Sequence, residues 1–117
     1  MPRNTRVSIV RTSLIAILTV AVSMLVPIVQ AQGPAAVQVT IDNFSFSPAT
    51  VTVAAGTEVT WLNRDDIPHT VVSDDKTTFK SRALDTDEKF SFTFAKAGTY
   101  TYFCSIHPRM TAKVVVQ

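Results

Sequence analysis

The sequence predicts an all-β domain, a sandwich of about seven or eight short strands, and three observations carry that expectation. Apolar and polar residues alternate, with the two-residue period of half-buried strands, in several separate stretches. Gly, Pro, Asn and Asp turn signals punctuate those stretches. From Gln32 onward no stretch keeps a helical period long enough for a substantial helix. Short strands with nothing helical between them bury their apolar faces by packing as two antiparallel sheets.

Val37, Val39 and Ile41 alternate with Gln38, Thr40 and Asp42 to make the first strand. Asn43 to Pro48 brings Phe44 and Phe46 and ends at the proline, and Thr50 to Val53 resumes the alternation. Ala54-Ala55-Gly56-Thr57 reads as a turn into Glu58 to Asn63, where Val59 and Trp61 share a face. Asn63-Arg64-Asp65-Asp66 is a polar loop, and Ile67 to Val72 returns to extended, β-branched chain. There Pro68 has no N–H to donate, which makes the approach to His69 stiff and edge-like.

Ser73 to Lys89 is charged and polar apart from Phe79, Ala83 and Leu84, the long connection that a Greek-key crossing requires, with room for a short strand near Thr78 to Ser81. Phe90, Phe92 and Phe94 alternate with Ser91 and Thr93, Ala95-Lys96-Ala97-Gly98 turns the chain, and Thr99 to Cys104 sets Tyr100, Tyr102 and Cys104 on one face. Thr111 to Gln117 closes the domain with Val114 and Val116 on one side.

The N-terminal part follows another pattern. Arg3, Arg6 and Arg11 stand among residues 1–11 without an acid, and Thr12 to Val29 is an apolar run broken lightly by Thr and Ser. With the small residues Val29 and Ala31 around Gln30, this reads as a secretory leader cleaved after Ala31. The expected organisation is a leader over 1–31 and one domain over 32–117. A retained membrane anchor is the competing reading, but the run is shorter than the ~20 apolar residues that span a bilayer, and Pro27 lies near its end.

Export changes the charge balance. Three of the eleven basic residues leave with the leader, so eight Lys and Arg face nine Asp and Glu. No basic cluster remains to track a phosphate backbone, which argues against a nucleic-acid partner. The single Cys of an exported chain has no internal disulfide partner, so it is a free thiol, an intermolecular bridge or a metal ligand.

That cysteine sits in the most chemically loaded stretch of the chain, Cys104-Ser105-Ile106-His107-Pro108-Arg109-Met110. Taken singly, a buried Cys is a small hydrophobe, a Met fills a gap, and a His beside a Pro is structural. Taken together, thiolate, imidazole and thioether within seven residues form a soft donor set that lacks one imidazole, and His69 is the only other histidine. Two imidazoles and a thiolate in a plane under a weak Met suit copper that transfers electrons. Structural zinc sites, by contrast, use paired Cys or His clusters that this chain lacks.

The chain resembles the small blue-copper proteins, the cupredoxins, most closely those of the amicyanin kind and more distantly the plastocyanins and pseudoazurins. The matching residues are Val59-Thr60-Trp61-Leu62-Asn63 leading to Pro68-His69-Thr70-Val71, Phe79-Lys80-Ser81 with Leu84, Phe90 to Phe94, and Gly98 to Met110. The resemblance implies a cupredoxin-like Greek-key sandwich and four copper ligands, His69, Cys104, His107 and Met110, with the two-residue His-to-Met spacing of the amicyanin kind. Tyr100 matches the family's tyrosine corner. These families usually place Asn after the first ligand histidine, where it braces the cysteine loop; here that residue is Thr70.

The expected function is one-electron transfer in a periplasm by a monomer cycling between Cu(I) and Cu(II), with no substrate bond made or broken. Redox proteins (a dehydrogenase, cytochrome or oxidase) would dock at the edge of His107, inside an apolar collar of Pro68, Ile106 and Pro108, with Arg109 able to favour an acidic partner. Enzymes built on this fold need further histidines for their other copper centres, and none remain. Two other classes stay open: a copper carrier or store with the same ligands and no redox partner, and a metal-free interaction domain.

Overall fold

The computed structural model describes residues 24–28 and 36–117. The chain separates into two compact units, Met1–Gln30 and Ala31–Gln117. Residues 24–28 have no regular secondary structure; the rest of the leader expected over 1–31, with its cleavage after Ala31, lies outside the described residues. No helix among the described residues is long and apolar enough to cross a membrane.

Eight strands among the described residues build the second unit: β1 (Ala36–Asp42), β2 (Ser45–Ser47), β3 (Thr50–Val53), β4 (Thr57–Asn63), β5 (Val72–Ser73), β6 (Lys89–Phe94), β7 (Gly98–Phe103) and β8 (Thr111–Val116). They form two four-stranded sheets, ordered β2-β1-β4-β6 and β3-β8-β7-β5. The sheets are mixed, which corrects the expectation of purely antiparallel pairing: β1 runs parallel to β4, and β3 parallel to β8. The cause is the crossing at Pro48. β2 folds back on β1 as a hairpin, the chain passes to the other sheet as β3, and β4 returns beside β1 in the same direction.

The alternation read along each strand becomes the interior. Val39, Ile41, Val59, Trp61 and Phe94 of one sheet meet Val51, Val53, Tyr102, Val114 and Val116 of the other, all buried. Trp61 stacks on Phe79 at 5.7 Å between ring centres and meets Tyr102 edge-on at 5.4 Å. Phe79 and Leu84, the apolar residues of the long connection, are buried too and anchor it to the core. Tyr100 is half-buried and donates its hydroxyl to the Lys96 carbonyl at 2.8 Å, a tyrosine corner that pins the turn before β7.

Around His69 the ladder is thinner than the alternation suggests. Only Val72–Ser73 is a strand; His69 pairs with Leu84 and Val72 with Lys80 as isolated bridges. Pro68 cannot donate to a ladder. The buried Asn63 amide takes over part of the work, donating to the carbonyls of Ile67 and Leu84, both at 2.9 Å. The expected strand near Thr78 to Ser81 reduces to the Lys80 bridge.

Candidate metal centre

Cys104 is the first residue past β7. Its N–H donates to the Met110 carbonyl at 3.0 Å, and the Met110 N–H donates to the His107 carbonyl at 2.9 Å. These two bonds close the loop, so that His107 and Met110 fold back beside the cysteine. Cys104 has no exposed surface and Met110 only 6%, while His107 is half-buried.

His69 arrives from the segment after β4 and is fully buried. Its Nε2 lies 2.7 Å from Asp65 Oδ2. A carboxylate at that nitrogen makes it the N–H donor and leaves the Nδ1 lone pair facing the site. Nδ1 of His69 is 3.7 Å from Cys104 Sγ, and Nδ1 of His107 is 3.8 Å from the same sulfur. All three atoms lie within 4.8 Å of one another.

Those separations fit a metal. With bonds of about 2.3 Å to sulfur and about 2.0 Å to nitrogen, a trigonal plane requires sulfur–nitrogen separations of about 3.7 Å. The donor set is a thiolate with two imidazoles, the soft combination that suits copper.

The surroundings favour the thiolate. Burial by itself would raise the Cys104 pKa, but the Thr70 N–H at 3.4 Å and the two imidazoles oppose it, and the thiol is lowered from 9.0 to about 6. Burial likewise works against ionised Asp65, yet its bonds from the Phe44 N–H, His69 and the Asn43 N–H hold its carboxyl below the usual range. The imidazole thus has a carboxylate of lowered pKa behind it and a thiol of lowered pKa in front of it.

Thr70 does brace the cysteine loop. Its Oγ1 accepts the Ser105 N–H at 2.7 Å, shares a hydrogen bond with Ser105 Oγ at 2.7 Å, and lies 3.8 Å from Cys104 Sγ. The β-branched side chain still reaches the loop through its hydroxyl, beside the Thr70 N–H that points at Cys104 Sγ.

Comparison with known proteins agrees with this geometry. The model of the cupredoxin-like domain family matches residues 13–116. The chain belongs to the cupredoxins. It is 37% identical to amicyanin of Paracoccus versutus over 98 residues, covering 78% of this chain and 73% of that one. Among solved structures, a purple cupredoxin from Nitrosopumilus maritimus superposes with a TM-score of 0.66 at 33% identity, over 69% of this chain and 99% of that chain. A copper-containing nitrite reductase from Thermus scotoductus superposes with a TM-score of 0.68 at 31% identity, but this cupredoxin covers only 23% of it.

Around the donor cluster of this cupredoxin, Pro68, Ile106 and Pro108 are exposed, as the expected collar requires, and so is Arg109. Three contributors were not legible as such in the sequence. Asp65 looked like one acid of a polar loop, although it stands four residues before His69 and is buried. Asn63 ties that loop through its side chain, its Oδ1 accepting the Asp65 N–H at 2.9 Å. Phe44 sits edge-on to both imidazoles, 5.7 Å from His69 and 5.0 Å from His107 between ring centres. Only tertiary pairing brings Phe44 there, because no local spacing links β1 to the ligand loop.

Proposed function

We propose that this protein is an exported electron carrier in which His69 Nδ1, Cys104 Sγ and His107 Nδ1, with the Met110 sulfur as a weaker fourth donor, would hold one copper ion. The observation that carries the reading is the pair of sulfur–nitrogen separations, 3.7 and 3.8 Å, with the far nitrogen of His69 already committed to Asp65. Copper held by these donors supplies a one-electron Cu(I)/Cu(II) couple.

The chain's own part is to hold the donors still. The Ser105 N–H donating to Thr70 Oγ1, the Met110 N–H donating to the His107 carbonyl and His69 Nε2 bonded to Asp65 fix the cysteine loop's backbone and the His69 ring, so little has to move when the charge of the site changes. Cys104 and His69 are sealed from water; His107 alone is partly open and forms the route by which electrons pass. Its rim of exposed Pro68, Ile106 and Pro108 suits brief docking of redox proteins, whose interfaces are small. Both histidines of the chain lie in this one site, leaving none for a second copper centre, and the protein acts as a monomeric carrier rather than an enzyme. Residues 1–31 act as the leader that directs it to the periplasm, and the exported protein begins at Gln32. Intact mass of the exported protein tests that boundary: a retained N-terminus overturns it.

The visible spectrum of the copper-loaded protein tests the function. An intense thiolate-to-copper band with reversible one-electron cycling is expected. A colourless protein that binds Cu(I) tightly and does not cycle supports a copper carrier or store instead. Cys104→Ala abolishes both behaviours; function unchanged by that substitution overturns every copper reading.

A further inference from the structure

The turn between β1 and β2 is built in an unusual way. Asp42 pairs with Ser45, so Asn43 and Phe44 are the two residues of a tight hairpin loop, and both have positive φ, 49° and 56°. Such loops favour Asn followed by Gly, because the second position disfavours a side chain. Asn43 fits that rule. Phe44 does not: a bulky residue at positive φ is an outlier that its surroundings must hold in place.

What holds it is the carboxylate behind His69. Asp65 Oδ1 accepts the Asn43 N–H at 2.7 Å, and Oδ2 accepts both the Phe44 N–H at 2.9 Å and the His69 Nε2–H at 2.7 Å. Phe44 does not repay its conformation by joining the core, since it remains 53% exposed. Its ring lies instead nearly perpendicular to both His69 and His107, in T-shaped contact with each. His107 receives no side-chain hydrogen bond among the described residues other than its contact with Cys104 Sγ, so nothing comparable to Asp65 steadies its ring from behind.

We propose that Phe44 is a positioning residue of the metal centre, latched by Asp65 over both imidazoles so that its ring restrains the half-open ligand His107. One buried carboxylate then sets two ligands: His69 directly, and His107 through the turn that carries Phe44. The inference rests on the copper-site reading above for its role in metal retention, whereas the restraint of the His107 ring is a property of the protein itself.

Phe44→Gly separates the ring from the fold, because Gly suits the positive φ and relieves the turn. The metal-free variant is expected to melt no lower than wild type, to show increased exchange broadening of the His107 imidazole signals by NMR, and, when copper-loaded, to lose Cu(I) to a chelator roughly three- to ten-fold faster, the factor an aromatic pair supplies. Phe44→Tyr restores wild-type behaviour in both measurements. The proposal is overturned if Phe44→Gly leaves the His107 signals of the metal-free protein unchanged, or if Phe44→Tyr fails as Phe44→Gly does. If wild type forms no thiolate-to-copper band, the copper reading fails, and the NMR comparison on metal-free protein still decides the restraint.

Discussion

Replacing Thr70 by Val keeps the shape of the side chain and removes one oxygen. That oxygen accepts the Ser105 N–H and shares a bond with the Ser105 hydroxyl, both at 2.7 Å, and stands 3.8 Å from Cys104 Sγ as a weak donor. Ser105 is exposed, so its own hydroxyl turns to water, and the main cost is a part-buried amide without a partner. That amounts to about 1–2 kcal/mol, or a melting point lower by about 5–10 °C in a domain of this size. A donor to the sulfur stabilises the reduced site, where the thiolate carries more charge, so its loss lowers the potential. At this length the bond contributes about 0.5 kcal/mol, equivalent to roughly 20 mV for one electron. Thermal unfolding of the metal-free protein and spectroelectrochemical titration of the copper-loaded one measure the two effects, with Thr70→Ser expected to stay close to wild type. A Thr70→Val protein with an unchanged melting point and an unchanged or raised potential refutes the bracing role.

Met110→Leu is expected to retain copper and raise the potential by on the order of 50 mV, about 1 kcal/mol for one electron, because a weak axial donor favours the more positive oxidised metal; an unchanged potential counts against Met110 as a ligand. The metal-free protein should gain stability as pH rises from 6 to 9, because the folded Cys104 thiol titrates at about 6 rather than 9.0. The stabilisation is complete above the unfolded value and vanishes as pH falls through the folded one, at on the order of 1 kcal/mol per pH unit between them. Urea unfolding of metal-free wild type and Cys104→Ala at several pH values should diverge over that window, and parallel profiles contradict the shift. Tyr102→Phe should be neutral or stabilising by about 1 kcal/mol, since the Tyr102 hydroxyl is buried with no well-formed hydrogen bond among the described residues; a loss of several degrees in melting point shows that the hydroxyl does find a partner.

A chain whose apolar residues alternate in short runs between turn residues has little choice but to form a sandwich, and the alternation at Val39-Ile41, Val59-Trp61 and Tyr102-Cys104 named the buried faces correctly. The composition also limited the metal chemistry, because one Cys and two His can furnish a single thiolate–bis-imidazole set. The local spacing of Cys104, His107 and Met110 sufficed to make a loop that closes on itself, since the bonds that close it run within seven residues.

Strand direction was not legible, because it depends on where the chain crosses between sheets: the excursion through β3 is what makes β4 parallel to β1. The supports of the site were equally hidden. Asp65 and Phe44 are separated by 21 residues, one a charge in a stretch that reads as a polar loop and the other an aromatic in a short stretch that ends at a proline. Periodicity reports only which face of an element is buried, whereas these residues act through contacts made at the end of the sandwich, beyond the last paired residues. The sequence by itself determined the sandwich, its interior and the donor chemistry; the tertiary structure decided how His69 is oriented, that Thr70 braces the loop, and that one carboxylate holds both a ligand and the turn above it.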